Sequence, residues 1–407
     1  MIQINRLCEK TIWLLTVLWL AATYIFYSAA WGRYLYLALA VLIFLLTAVH
    51  GGGKVRLPFR RYHLCVLLFA LYCLASSLWA WTPEASVASF RTLFSILVCC
   101  SLMYPYYSER DSIEELAAVF MWAGYIVALY SIFYYGFDNL YEATASADLR
   151  LGNAYNNVNS IGMLCAFAFV IQFYKILFYG LRLSAVFSVP TLLVVAAMQS
   201  RKAILVVVLG VFLVLVLKNI GNRKFLSALG RVLLIVALFA VLVLVLSQLR
   251  IFGGVNERLR AMLASFTGEG KADGSSLLRA KMRTIGMEQF RKTPFFGIGM
   301  GNSAALLLKT VGLSTYLHNN YVELLACGGL AGFALYYVPM LACGVCFLRR
   351  KRFTQKQTAI CAVLLLLLLI MDYGMVSYSS KEQYLYLMLF FIQADRLDAA
   401  SRTAPRR

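Results

Sequence analysis

From its first residues to its last, the chain alternates long apolar runs with short polar breaks, and this pattern predicts a bundle of membrane-crossing helices. Runs long enough to cross a hydrocarbon core of ~30 Å, at roughly 17–25 residues each, fall at about 11–29, 34–50, 62–80, 91–105, 115–136, 158–179, 184–199, 203–217, 232–249, 318–348, 358–376 and 381–394. An all-α polytopic protein of about twelve transmembrane helices is therefore expected. The run that begins at Thr11 is followed by further spans and has no convincing small-residue cleavage site, so it reads as an uncleaved anchor. One polar stretch of about 68 residues, Arg250 to Leu317, breaks the pattern. It divides the chain into a bundle over 1–249, a loop over 250–317, a second set of spans over 318–395 and a basic tail over 396–407.

Composition narrows the class further. Hydrophobic residues make up 62 % of the chain, charged residues only 14 %, and the mean hydropathy is +0.76, against roughly 45–50 % apolar in globular domains. No soluble domain of ordinary size fits between the spans. Of the ten cysteines, nine lie inside apolar runs, and Cys343 and Cys346 have CxxC spacing without a partner pair. They read as small buried apolar side chains, with neither a zinc site nor a disulfide framework.

Orientation follows from the Lys and Arg residues, because positively charged loops stay in the cytoplasm. With the N-terminus inside, 22 of the 38 cations fall on inner segments, 6 on short outer segments and 10 in the long loop. Both termini are then cytoplasmic and the long loop is extracytoplasmic. Against its ten cations the loop sets only Glu257, Glu269, Asp273 and Glu288, a net charge of about +6. Long loops translocate regardless of charge, so this excess points to an anionic ligand, or else to solvated cations near anionic headgroups.

Within the loop a helix is predicted from about Ser275 to Arg291, capped by Ser275 or Ser276 and stopped at Pro294. Arg279 and Arg283 are four apart and share a face, so their guanidinium forks can converge on phosphate oxygens; a solvated basic face is the plainer alternative. Gly297-Ile298-Gly299-Met300-Gly301 has GxGxG spacing, but no βαβ unit surrounds it and the topology puts it away from ATP and NAD. It reads as a tight re-entry turn whose glycines permit close backbone approach.

His318 stands where the loop returns to the bilayer, and there a neutral imidazole can accept a proton from an attacking hydroxyl. Asn319, Asn320 or Glu323 can orient its ring, and Tyr321 follows. The plainer reading is a hydrogen-bonded interfacial anchor, which is also how His50 and His63 read. On the same outer face, Arg201 interrupts two apolar spans, and charges near membrane depth are functional by default. Asn153, Asn156, Asn157 and Asn159 cluster before the sixth span. Asp372, late in the eleventh, pairs with Arg201 or with a neighbouring helix.

Taken together, Asn156-Asn157-Val158-Asn159-Ser160-Ile161-Gly162, Ser200-Arg201-Lys202-Ala203, Arg279 ahead of Pro294-Phe295-Phe296-Gly297-Ile298-Gly299, and His318-Asn319-Asn320-Tyr321 with Gly328, Gly329 and Gly332 resemble the O-antigen ligase and O-antigen polymerase superfamily of bacterial membrane glycan transferases. The resemblance covers about 150–335. It implies transfer of a glycan from undecaprenyl diphosphate to an acceptor hydroxyl, on the outer face of the cytoplasmic membrane, without metal, cofactor or nucleic acid. Arg201 and Arg279 would hold the diphosphate, His318 would be the base, and Arg283, Asn319, Asn320, Tyr321, Asn157 and Asn159 would contact substrate. The acceptor stays open among a lipid A core (a ligase), the growing chain's terminal sugar (a capsular or O-antigen polymerase) and other hydroxyls. A transporter or flippase is the competing class. It would show matched broken helices in two halves and polar residues near the midplane, whereas here the polar residues gather at one interface.

Overall fold

The computed structural model describes residues 2–53, 57–109, 113–145, 155–220, 274–349 and 355–403, with Leu151, Gly230 and Leu234 besides. The span expected over 232–249 and the first part of the loop, 250–273, lie outside the described residues apart from Leu234. The helices are α1 Ile2–Ile25, α2 Gly32–His50, α3 Arg61–Ala75, α4 Pro83–Glu109, α5 Ile113–Tyr135, α6 Phe137–Ala145, α7 Val158–Tyr179, α8 Ser188–Ala197 and α9 Arg201–Ile220. After the loop come α10 Gly274–Lys292, α11 Ser303–Val311, α12 Asn320–Leu348, α13 Lys356–Met371 and α14 Lys381–Thr403. No strand occurs among the described residues. Eight of these helices are long and apolar enough to cross a membrane; α13 and the segment Leu183–Ala197 are apolar but shorter. α14 carries charges at both ends, yet Tyr384 to Phe391 along its middle is buried.

The chain forms two compact units, Met1–Leu39 with Ser112–Lys271 and Arg350–Leu367, and Ala40–Asp111 with Ala272–Arg349 and Leu368–Arg407. In the first, α5 and α7 form the centre, with α1 against α5 and α9 against α7. Small residues let these helices approach closely, as is usual where no water drives helices together. A Cβ on Gly124 would lie 2.4 Å from that of Ala168, and one on Gly210 2.4 Å from Val170. Polar groups in this interior are paired: Tyr125 donates to Gln172 at 2.8 Å, and the Asn156 amide to the Tyr24 carbonyl at 2.9 Å.

The second unit packs α3 on α4 and α12, and α14 on α3, α4 and α12. Its most informative feature is a break in α12. Gly329 has φ 59 and ψ −164 inside an otherwise continuous helix of 29 residues. The N–H groups this break frees are taken by the turn after α10: Leu330 N–H donates to the Pro294 carbonyl at 2.8 Å and Ala331 N–H to that of Phe295 at 3.1 Å. In return Ile298 N–H donates to the Ala326 carbonyl at 3.1 Å. A broken helix inside a membrane protein is tolerated where such partners exist. The exchange demands glycine on both sides, since a Cβ on Gly329 would sit 2.4 Å from the Phe295 carbonyl and one on Gly297 2.4 Å from that of Cys327. The tight turn expected from GxGxG is therefore present, and its neighbour is α12.

α10 and α11 make a hairpin alongside the first half of α12, closed by an apolar cluster of Met282, Leu307, Leu317, Val322 and Ala326. The helix expected over Ser275–Arg291 is observed as α10, whereas α11 was not anticipated. The hairpin's turn is also tied to the α3–α4 connection: Met300 N–H donates to Ser76 Oγ at 3.0 Å, Trp81 N–H to the Ile298 carbonyl at 3.1 Å and Thr82 N–H to Asn302 Oδ1 at 2.6 Å.

Candidate functional site

In the second unit the structure brings together Arg279, Arg283, His318, Asn319, Asn320 and Tyr321 around the start of α12. Gly286 of α10 lies against Val322 and Leu317, where an added Cβ would meet side-chain carbons at 2.5 and 2.9 Å. Residues 279, 283 and 286 follow i, i+4, i+7 spacing, so both arginines share the face that Gly286 lays beside His318. The Arg283 guanidinium sits 5.5 Å above the Tyr373 ring, a cation–π contact that holds it in place. Arg279 lies one turn further out, about 6 Å along the helix at 1.5 Å per residue. Both are half-buried.

His318 takes a left-handed backbone conformation, φ 57, one of two such non-glycine residues among those described. Such conformations persist where surrounding contacts over-determine them, and here the contacts are explicit. Glu323, buried in the first turn of α12, accepts from Leu317 N–H at 2.9 Å and from Ser303 Oγ, which fixes the residue before His318. Asn319 caps α12 by accepting from Val322 N–H at 3.0 Å, and its amide donates to the Tyr373 carbonyl at 2.9 Å. Asn320 N–H donates to the Asp372 carbonyl at 2.8 Å, and its side-chain oxygen accepts from Ser377 and Tyr378 N–H at 3.0 and 3.2 Å. Tyr321 donates to the Leu369 carbonyl at 2.6 Å. The aromatic ring of Tyr316 lies 4.2 Å from the imidazole, centre to centre.

Asp372 lies in the turn after α13 and is 1 % exposed. Its carboxyl accepts from Tyr337 OH at 2.8 Å, Ser377 Oγ at 2.5 Å and the Asn320 amide at 3.2 Å. Of the two partners the sequence left open for it, a neighbouring helix is thus observed, and this group braces the His318 corner. Tyr337, Ser377 and Ser303 were not anticipated; the available signal was a lone carboxylate among apolar residues, which needs donors nearby. Asp372→Ala, which strands three donors, should cost about 1–3 kcal/mol for each donor left unpaired; an unchanged melting temperature would remove the brace.

In the first unit the first turns of α7, which Asn157 opens, pack against the residues on either side of Arg201. Asn157 caps α7, accepting from Asn159 N–H at 2.9 Å, and Gly162 one turn on faces Ala203 and Ser200, with Cβ distances of 3.3 and 3.4 Å. Arg201 and Lys202 open α9, half-buried. Cations at a helix N-terminus oppose its dipole, and a helix end of this kind is suited to an anion. Asn153 lies outside the described residues.

The hairpin turn of the second unit also borders an open cleft of about 540 Å³, lined by Trp79, Trp81, Phe295 and Phe296 among others. Lys309 Nζ stands 5.1 Å above the Trp81 ring. Exposed indoles and phenyl rings beside a cation are the usual furniture of a membrane–water interface.

Fold and sites together define a polytopic helical membrane protein that presents arginines and a braced histidine at helix termini. Residues 183–337 match the family model described as O-antigen ligase, a segment that includes Arg201, Arg279 and His318, and this match supports the resemblance to the O-antigen ligase and polymerase superfamily. What the match supports is a membrane protein similar in this segment to O-antigen ligases, a family of glycosyltransferase type. No curated protein matches the chain.

Proposed function

We propose that the chain transfers a glycan from undecaprenyl diphosphate to an acceptor hydroxyl on the outer face of the cytoplasmic membrane, in surface polysaccharide biosynthesis. In this reading it crosses the bilayer about twelve times, keeps both termini in the cytoplasm, and uses 250–317 as its extracytoplasmic loop. The observation that carries it is the His318 corner, fixed by Glu323, Asn319 and Asn320 next to the arginine face of α10.

The acceptor oxygen attacks the anomeric carbon of the donor sugar while His318 takes the hydroxyl proton. The carbon–oxygen bond to the diphosphate breaks, and undecaprenyl diphosphate departs with inverted configuration at the sugar. A diphosphate is a good leaving group once fixed cations neutralise its charge. That role is assigned to Arg279 and Arg283 and, by its motif position, to Arg201. Neither metal nor nucleotide enters the scheme. Asn319 and Asn320 contribute by holding His318, and Tyr321, Asn157 and Asn159 border the sites.

A ligase is the first reading of the acceptor and a polymerase of the same superfamily the second. Analysis of surface glycans in a deletion strain separates them. Full-length lipid-linked chains left unattached indicate a ligase, and single-repeat caps indicate a polymerase. Unaltered surface glycans would overturn the proposal.

A further inference from the structure

At the end of α3 remote from the α10–α11 turn, the second unit contains a cavity of about 700 Å³ that the proposed reaction does not use. Its polar lining comes from Arg60 and Arg61 before and at the start of α3, Ser108 and Glu109 at the end of α4, and Asp395, Arg396, Asp398 and Arg402 on the last turns of α14. α3 has 15 residues, which at 1.5 Å each separates this cavity from the Ser76–Met300 contact by about 22 Å.

The charges here are arranged, not scattered. Arg61 donates to Asp395 at 2.8 Å and to Asp398 at 2.9 Å, so one guanidinium is committed to two carboxylates. Arg396 is anchored by a bond to the Tyr107 carbonyl at 3.4 Å. Counted whole, the lining sets four guanidiniums, Arg60, Arg61, Arg396 and Arg402, against three carboxylates, Asp395, Asp398 and Glu109, a net charge of +1. That balance favours an anion, and guanidinium forks favour phosphate oxygens.

What lies beside the cavity identifies the ligand's other half. Leu57 and Phe59 are exposed just before α3, and Leu64, Leu68 and Leu71 are exposed along it at 45, 45 and 46 %. Positions 64, 68 and 71 follow i, i+4, i+7 spacing, an apolar stripe on a helix long and apolar enough to cross a membrane. It runs away from the arginines, as acyl chains run from a headgroup. Basic pockets between membrane helices are known to suit anionic headgroups.

We propose that this cavity binds the headgroup phosphate of an anionic phospholipid whose acyl chains lie along Leu64, Leu68 and Leu71. The site is independent of the transfer reaction and does not rest on its assignment. In nanodiscs made from equal phosphatidylglycerol and phosphatidylcholine, native mass spectrometry of the released full chain should show phosphatidylglycerol retained in preference. The double variant Arg60→Gln/Arg402→Gln leaves the Arg61 pairs intact, and it should lower that preference by about thirtyfold, from the loss of two surface guanidiniums. Equal retention of both lipids by the native chain would overturn the proposal. So would an unchanged preference in the variant. Inorganic phosphate or pyrophosphate in phosphatidylcholine nanodiscs should not protect the native chain against heat; protection equal to that by phosphatidylglycerol would assign the cavity to a soluble anion instead. Should the double variant fail to fold, the native chain's preference must still fall steeply with added salt, and a salt-independent preference would count against it.

Discussion

Replacing His318 with alanine is expected to reduce glycan transfer by about 10²–10⁴-fold, the range contributed by a positioned general base, while the lipid-linked donor still binds. Alanine alone would be an ambiguous test, because position 318 holds φ 57 and a change there alters backbone preference as well as chemistry. Asparagine tolerates the left-handed region better than most residues, so His318→Asn keeps the corner and removes the base. Both variants should lose turnover to a similar degree in an assay with labelled lipid-linked donor. Retained transfer by His318→Asn would sink the assignment, and loss of donor binding by both would make the residue a structural anchor.

Arg279→Ala is expected to lower kcat/KM by about 10²–10³-fold, the scale seen when one fixed electrostatic stabiliser of a transition state is removed. Lysine at 279 should rescue only part of this, because an ammonium lacks the planar fork that grips two phosphate oxygens. Arg201→Ala should behave alike if that residue also holds the diphosphate. Arg283 offers an internal comparison, since its stacking on Tyr373 means that Arg283→Ala also removes a packing contact and should lower the melting temperature. Donor titrations separate the outcomes. Unchanged kcat/KM in both Arg279→Ala and Arg201→Ala would return the basic face to the role of a solvated surface.

The apolar pattern located the helices well because lipid-facing and buried positions alike must be hydrophobic over about twenty residues. The same property hid what interrupts them. Within 318–348 nothing in the hydropathy marks Gly329, because the break depends on carbonyls contributed by Pro294 and Phe295, 35 and 34 positions earlier. α11 was equally hidden, since nine residues between a glycine turn and a polar return have no span to announce them. Arg279, Arg283 and His318 were legible as candidates, from a basic helix face and a polar return to the bilayer. Asn319 and Asn320 were legible as polar residues at the same place, but their use was not: Asn320 spends its amide on Tyr337, Asp372, Ser377 and Tyr378. The cations around Arg60 and Arg402 entered the sequence argument only as markers of sidedness. Their convergence is a property of three helix ends, which no linear pattern reveals.

The interlock between Pro294–Ile298 and Ala326–Ala331 has a practical consequence for building chimaeras. Each partner supplies hydrogen bonds that the other lacks, so neither half is a self-sufficient part. A loop grafted from a relative with its own 250–317 equivalent, onto this α12, would bring a turn whose carbonyls need not meet Leu330 and Ala331. The exchangeable module is instead the stretch from the start of α10 through at least Gly332. A chimaera that exchanges this cassette should keep the interlock, whereas one that exchanges the loop alone should lose it.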